Sequence, residues 1–128
     1  MSEIKVDTLT GKTTAKTVTV TVGATATQSL ETGLVKAFVH FDQSDQSADS
    51  SMNVSSITDN GTGQSLPQFT NPFTTGEFPG VVSQVGSTNI DTVLGGPNNA
   101  SQSFLRMRDG GVDTDTNNIS HICCGDLA

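Results

Sequence analysis

Apolar and polar residues alternate with a period of two through much of this chain, and that alternation predicts strands. In residues 17–22, Val18, Val20 and Val22 share one face, with Thr17, Thr19 and Thr21 on the other. In residues 34–42, Val35, Ala37, Val39 and Phe41 form an apolar face. Lys36, His40 and Asp42 lie opposite, with Phe38 among them. A phenylalanine on the polar side of a half-buried strand marks that side as a contact surface. A second strand pair is expected at residues 52–58 and 64–70, around the Asp59-Asn60-Gly61-Thr62-Gly63 turn. Asn-Gly supplies the positive φ angles of a tight hairpin. Pro67 donates no ladder hydrogen bond, so residues 64–70 are expected at a sheet edge or at a bulge.

Further strands are expected at residues 81–86, 88–94, 101–108 and 119–124. In the run 101–108, Leu105 and Met107 fall on one face and Phe104, Arg106 and Arg108 on the other. Residues 42–51, 71–80 and 109–118 read as polar loops, with Phe73 and Phe78 anchoring the middle one, and Gly-Gly-Pro-Asn-Asn at 95–99 reads as a turn. A helical period of 3.6 is nearly absent. Short strands at this spacing predict an all-β chain, a single β-sandwich or jelly-roll-like domain with an extended N-terminal arm. Residues 1–22 are assigned to the arm and first strand, and residues 23–128 to the sandwich. The threonine-rich arm carries weakly hydrophobic, extended residues that must pair with something outside themselves.

Composition narrows the class of partner. The chain has 128 residues, enough for one domain, with a hydrophobic fraction of 33%, no Trp and no Tyr. So lean a core implies stability helped by neighbouring subunits. A formal net charge of -7 argues against nucleic acid, which needs clustered Lys and Arg. Of the few cations, Lys5, Lys12 and Lys16 lie in the arm. No apolar run is long enough to span a bilayer, and the start has no signal-peptide pattern, so membrane insertion is not expected. The adjacent Cys123 and Cys124 are too close for an unstrained disulfide and read as small buried hydrophobes.

Candidate chemistry is thin. His121, Cys123 and Cys124 have the residue types of metal ligands but not the spacing of a zinc site. Asp42, Asp45 and Asp49, and Asp109, Asp113 and Asp115, could hold calcium, yet the EF-hand pattern is absent and solvated loops are the simpler reading. A Cys–His nucleophile would need an orienting group and an oxyanion donor, and no motif supplies them. The four Asn-x-Ser/Thr triplets, at Asn53, Asn60, Asn99 and Asn118, are what so Asn-, Ser- and Thr-rich a chain produces by chance. No catalytic residue, metal or cofactor is expected.

Three stretches, SEIKVDTLTGKTTA at 2–15, LVKAFVHFD at 34–42 and NVSSITDNGTG at 53–63, together with the ending NISHICCGDLA, resemble small virion proteins of marine tailed bacteriophages. The chain departs from that pattern at 64–70, where Pro67 interrupts an aromatic-rich run, and at 121–124, where His-Ile-Cys-Cys replaces bulkier apolar residues. The resemblance implies a structural or fibre-like role on a phage particle.

The expectation is therefore a non-enzymatic virion protein assembled in the host cytoplasm. It would be a homotrimeric short fibre, tail appendage or head decoration. Its partners would be its own copies, other tail or capsid proteins and a host surface glycan. Val18, Val20, Val22 and Phe38 are the expected intersubunit contacts. The competing reading is a free carbohydrate-binding β-sandwich, against which the lack of Trp and Tyr for sugar stacking counts.

Overall fold

A computed structural model of the chain describes residues 8, 18–22, 26–30, 33–84, 90 and 92–128. Two compact units make up the chain, Met1–Leu34 and Val35–Ala128. The division thus falls later than the 22/23 boundary read from the sequence. In the first unit, β1 (Thr19–Val22) pairs antiparallel with β2 (Ala26–Ser29), and Leu30 N–H donates to the Val18 carbonyl at 2.7 Å. The strand expected to pair outside itself therefore has one edge satisfied by the segment that follows it. Residues 1–7 and 9–17 of the expected arm lie outside the described residues.

The second unit is an all-β sandwich. One sheet has the order β4-β3-β11-β7, built from β3 (Val35–Asp42), β4 (Ser47–Met52), β7 (Gly80–Gln84) and β11 (Ile119–Cys124). The other runs β10-β9-β6-β5, from β5 (Val54–Asp59), β6 (Gln64–Phe69), β9 (Gln102–Asp109) and β10 (Val112–Asp113), and β8 (Thr92–Asn99) also pairs with β9, outside that path. Every pairing is antiparallel. Each sheet turns its alternate residues inward. Val39, Phe41 and Ile119 from the first sheet meet Leu105 and Met107 from the second, all buried. Burying a side chain of this size contributes roughly 1.5–3 kcal/mol, so this layer joins the sheets.

A second cluster closes one end of the sandwich. Ala37 and Cys123 pack with Phe69, Phe73 and Phe78. Phe73 and Phe78 come from the loop after β6, as the anchor reading anticipated, and they stack with centroids 4.3 Å apart. Phe69 meets both edge-on, at 5.0 and 5.4 Å. The loop is tied to the chain's end by backbone bonds from Thr74 N–H to the Asp126 carbonyl and from Ala128 N–H to the Pro72 carbonyl.

The hairpin at 59–63 forms between β5 and β6, but its left-handed residues are Gly61 (φ 106°) and Gly63 (φ 69°), not Asn60. A Cβ at residue 63 would lie 2.6 Å from both the Met107 carbonyl oxygen and the Thr114 nitrogen, so backbone on either side admits only glycine.

Three expectations are corrected. Residues 47–51, read as part of a polar loop, belong to the strand Ser47–Met52, which also takes Met52 from the strand expected at 52–58. All six of its residues are exposed, and among the described residues it pairs with β3 at the edge of the sheet. Residues 95–99 belong to β8 and the turn follows at Ala100 and Ser101. Gly95 serves close packing there, since a Cβ would meet Val82 Cγ1 at 2.7 Å and Leu105 Cδ2 at 2.9 Å. Finally, β6 is interior despite Pro67. It pairs with β9 at Gln64, Ser65 and Gln68 and leaves the ladder open at residues 66–67. The proline is fully buried opposite Ile57 of β5. The one register shift between β5 and β6 falls at Val54/Ser56, not at the proline.

Candidate functional site

Alternation along β11 sends Ile119, His121 and Cys123 into the core and Ser120, Ile122 and Cys124 to the outer face. The inward group contains the only histidine–cysteine pair among the described residues. The His121 ring is buried, its Nδ1 lies 3.3 Å from Ser103 Oγ, and Cys123 Sγ lies 3.6 Å from Nδ1 and 3.4 Å from Nε2. A sulfur nearly equidistant from both ring nitrogens packs against the ring and is not aligned on one N–H. Burial pulls the imidazole down to about 4 and, with Cys124 adding to it, pushes the Cys123 thiol up to about 12. Both groups are therefore neutral at pH 7. A nucleophilic thiolate–imidazolium pair requires the opposite charge states, and this pair is an uncharged thiol packed on an uncharged ring.

The acidic residues are engaged locally. Arg106 donates two hydrogen bonds of 2.8 Å to Asp113, one from Nε to Oδ1 and one from Nη2 to Oδ2. Arg108 Nε stands 3.2 Å from the same Oδ1, an ion pair by distance without hydrogen-bond alignment. The Arg106 bonds hold Asp113 below its ordinary carboxylate range. Its stabilising contribution is present above pH 3.8 and is lost as pH falls through the depressed value. Asp115 Oδ1 accepts from Gly63 N–H at 2.6 Å, Asp42 Oδ1 from Asn118 N–H at 2.6 Å, and Asp45 Oδ1 from Ser47 N–H at 2.9 Å. Among the described residues no three His, Cys, Asp or Glu side chains converge as metal ligands.

The outer face of the four-stranded sheet is different in kind. Register places Met52 of β4 opposite Phe38 of β3, Phe38 opposite Ile122 of β11, and Ile122 opposite Val81 of β7. The four apolar side chains thus form one row across the whole sheet. They are 40%, 36%, 44% and 71% exposed in that order. Cross-strand neighbours on one face are about 5 Å apart, so the row is a continuous stripe. The next row is polar: Ser50, His40, Ser120 and Ser83. His40 Nδ1 and Ser120 Oγ are 2.9 Å apart, and His40 Nε2 is 3.9 Å from Asp49 Oδ2. Asp49 is the extra residue of the β-bulge in β4, and Lys36 is the extra residue of the β-bulge at the other end of β3, where Cys123 and Cys124 pair with Ala37 and Val35. Bulges re-aim side chains at sheet rims. Here they put one basic and one acidic residue on opposite sides of the stripe.

Of the residues expected at subunit contacts, Phe38 lies in this stripe. Val18 precedes β1 and is half-buried, Val20 is exposed in β1, and Val22 ends β1 with its side chain outside the described atoms. The sequence reading singled out Phe38 from its misplaced apolarity but not Met52, which the bulged β3–β4 hairpin sets beside it, nor Ile122 and Val81, whose alignment depends on pairing across distant segments. The one local clue was β11 itself, where Ile122 breaks an outward face otherwise made of Ser120 and Cys124.

The fold class is thus an all-β sandwich of two antiparallel sheets with an apolar stripe on one outer face. No protein-family model, curated protein or solved structure matches the chain.

Proposed function

We propose that this chain is a non-enzymatic structural protein of a tailed-bacteriophage particle, a short fibre, tail appendage or head decoration present in many copies. The observation that carries the reading is the exposed stripe of Val81, Ile122, Phe38 and Met52. Contiguous exposed apolar surface on a small soluble domain marks a surface for a protein partner. The sequence resemblance to marine phage virion proteins points to which kind of partner. The N-terminal unit is the anchor in this reading, binding a neighbouring virion protein by strand addition at an open sheet edge. Repetition over many copies then makes weak single contacts firm.

Mass spectrometry and imaging of purified particles test the proposal. The chain should be a stoichiometric particle component, and its absence from particles would refute the assignment. A copy number matching that of the capsid subunits favours a head decoration, and one following the symmetry of the tail favours an appendage. Deleting residues 2–15 is expected to leave the sandwich folded, by circular dichroism, while abolishing incorporation. A truncated chain that enters particles normally would remove the anchoring role.

A further inference from the structure

The stripe has a symmetry that selects its occupant. From the geometry of the outer face we propose that it binds the same face of a second copy, forming a two-fold, sheet-on-sheet pair. The inference deepens the proposed structural role by naming a partner and a surface, and it rests on that role only for its biological setting.

The apolar row crosses the sheet at right angles to the strands, through position 38 of β3. Lys36 is two residues to one side of that line, and His40 with Asp49 is at the equivalent step on the other. A two-fold axis along the row superposes apolar on apolar. It also exchanges the two sides, so that Lys36 of each copy lies over the His40–Asp49 pair of the other. Both charged contacts form at once because an isologous interface makes every contact twice. An axis parallel to the strands would keep the Lys36 side on the Lys36 side and form neither. Aligned sheet packing tolerates the small rotation that sheet twist imposes.

The composition of the rest of the face agrees. On the His40 side the stripe is flanked by the small polar residues Ser50, Ser120 and Ser83, which let two sheets approach closely, and on the Lys36 side by Cys124 paired with the exposed Val35. An apolar centre edged by a polar row follows the usual anatomy of a protein interface on that side, and Val35 extends the apolar area on the other. Four strands about 4.8 Å apart and strands of this length give a contact roughly 20 Å on a side. That is below the footprint of a standard stable complex. The pair is therefore weak in isolation and suited to reinforcement in an array. The chain's net charge of -7 opposes association at long range, and the crossed Lys36–Asp49 contacts offset that repulsion where the copies touch.

Sedimentation of the full chain, from about 10 μM to about 1 mM, tests the pairing. Monomer and dimer should exchange with rising concentration. Phe38→Ser combined with Ile122→Thr should lower the association constant at least tenfold. Both side chains are surface-exposed, so circular dichroism should show an unchanged fold. Lys36→Glu should weaken the pair several-fold and adding Asp49→Lys should restore it, a rescue that a folding defect could not produce. Leu94→Ser, which removes an equally exposed apolar residue from the other sheet, should leave association within twofold. A chain monomeric throughout would overturn the proposal, as would dimers indifferent to the Phe38/Ile122 change or a charge reversal without rescue. Dimers in solution from a chain absent from particles would sink the virion role alone. A particle component that stays monomeric in solution would sink the pairing alone.

Discussion

Phe73→Ala is expected to lower the free energy of unfolding by about 3–5 kcal/mol, the range for deleting a buried phenylalanine. A domain of this size has roughly 5–15 kcal/mol to lose, so the variant should be partly unfolded at elevated temperature. The ring is fully enclosed. It stacks on Phe78, meets the edge of Phe69, and lies under Gly125, where an added Cβ would come within 3.2 Å of it. The cavity cannot readily collapse, because the surrounding segments are held by backbone bonds of their own. Phe73 N–H donates to the Ala100 carbonyl at 2.8 Å, and residue 73 bridges Leu127. Residue 73 thus ties the loop after β6 to the turn after β8 and to the C-terminal segment. Urea denaturation is the measurement. Phe73→Leu should recover a good part of the loss. A midpoint unchanged by Phe73→Ala would mean that the three-phenylalanine cluster does not close the sandwich.

Much of this architecture can be read from local residue order, and what cannot be read has a common physical cause. Ile119–Cys124 and the inward faces of β3 and β9 follow from strict alternation, because one face of each strand is dry and the other wet. Phe73 and Phe78 stand out as large apolar residues in a Gly- and Pro-rich stretch. Ser47–Met52 is invisible to the same reasoning. Its residues are all exposed, so no apolar signal records that its backbone is held by β3. Residues 95–99 mislead for the converse reason: Gly95 looks like turn chemistry but is small because Val82 and Leu105 press on it. Pro67 misleads because a proline's missing N–H can be absorbed by opening two rungs of an interior ladder. The stripe combines these difficulties. Phe38 is suspicious alone, but its continuity with Met52 is set by the register of the bulged β3–β4 hairpin, and with Ile122 and Val81 by pairing among strands far apart in the chain. Local order carries periodicity; register comes from the whole sheet.

Acid should destabilise the protein well before its carboxylates protonate, and His121 is the reason. Burial holds its imidazole at about 4, against 6.5 for the free side chain. Between those values the unfolded chain accepts a proton that the folded chain refuses. Stability therefore rises with pH across this window, and what this residue contributes is lost progressively as pH falls from 6.5 towards 4. The full loss is on the order of 3 kcal/mol. Room for a hydrated imidazolium is lacking: a Cβ on Gly80 would come within 2.8 Å of Nε2, and Cys123 and Ser103 crowd the ring. Asp113 does not mimic the effect, because its depressed carboxyl acts only below pH 3.8. Cys123 sets the opposite limit. A thiol raised from 9 to about 12 costs stability as pH climbs above 9, which places the plateau between about pH 6.5 and 9. Urea midpoints measured from pH 7 to 4.5 should fall steadily in the native chain and much less in His121→Gln, whose side chain stays neutral throughout. A native midpoint flat over that range, or an equal slope in the variant, would show that the ring takes up its proton without unfolding the sandwich.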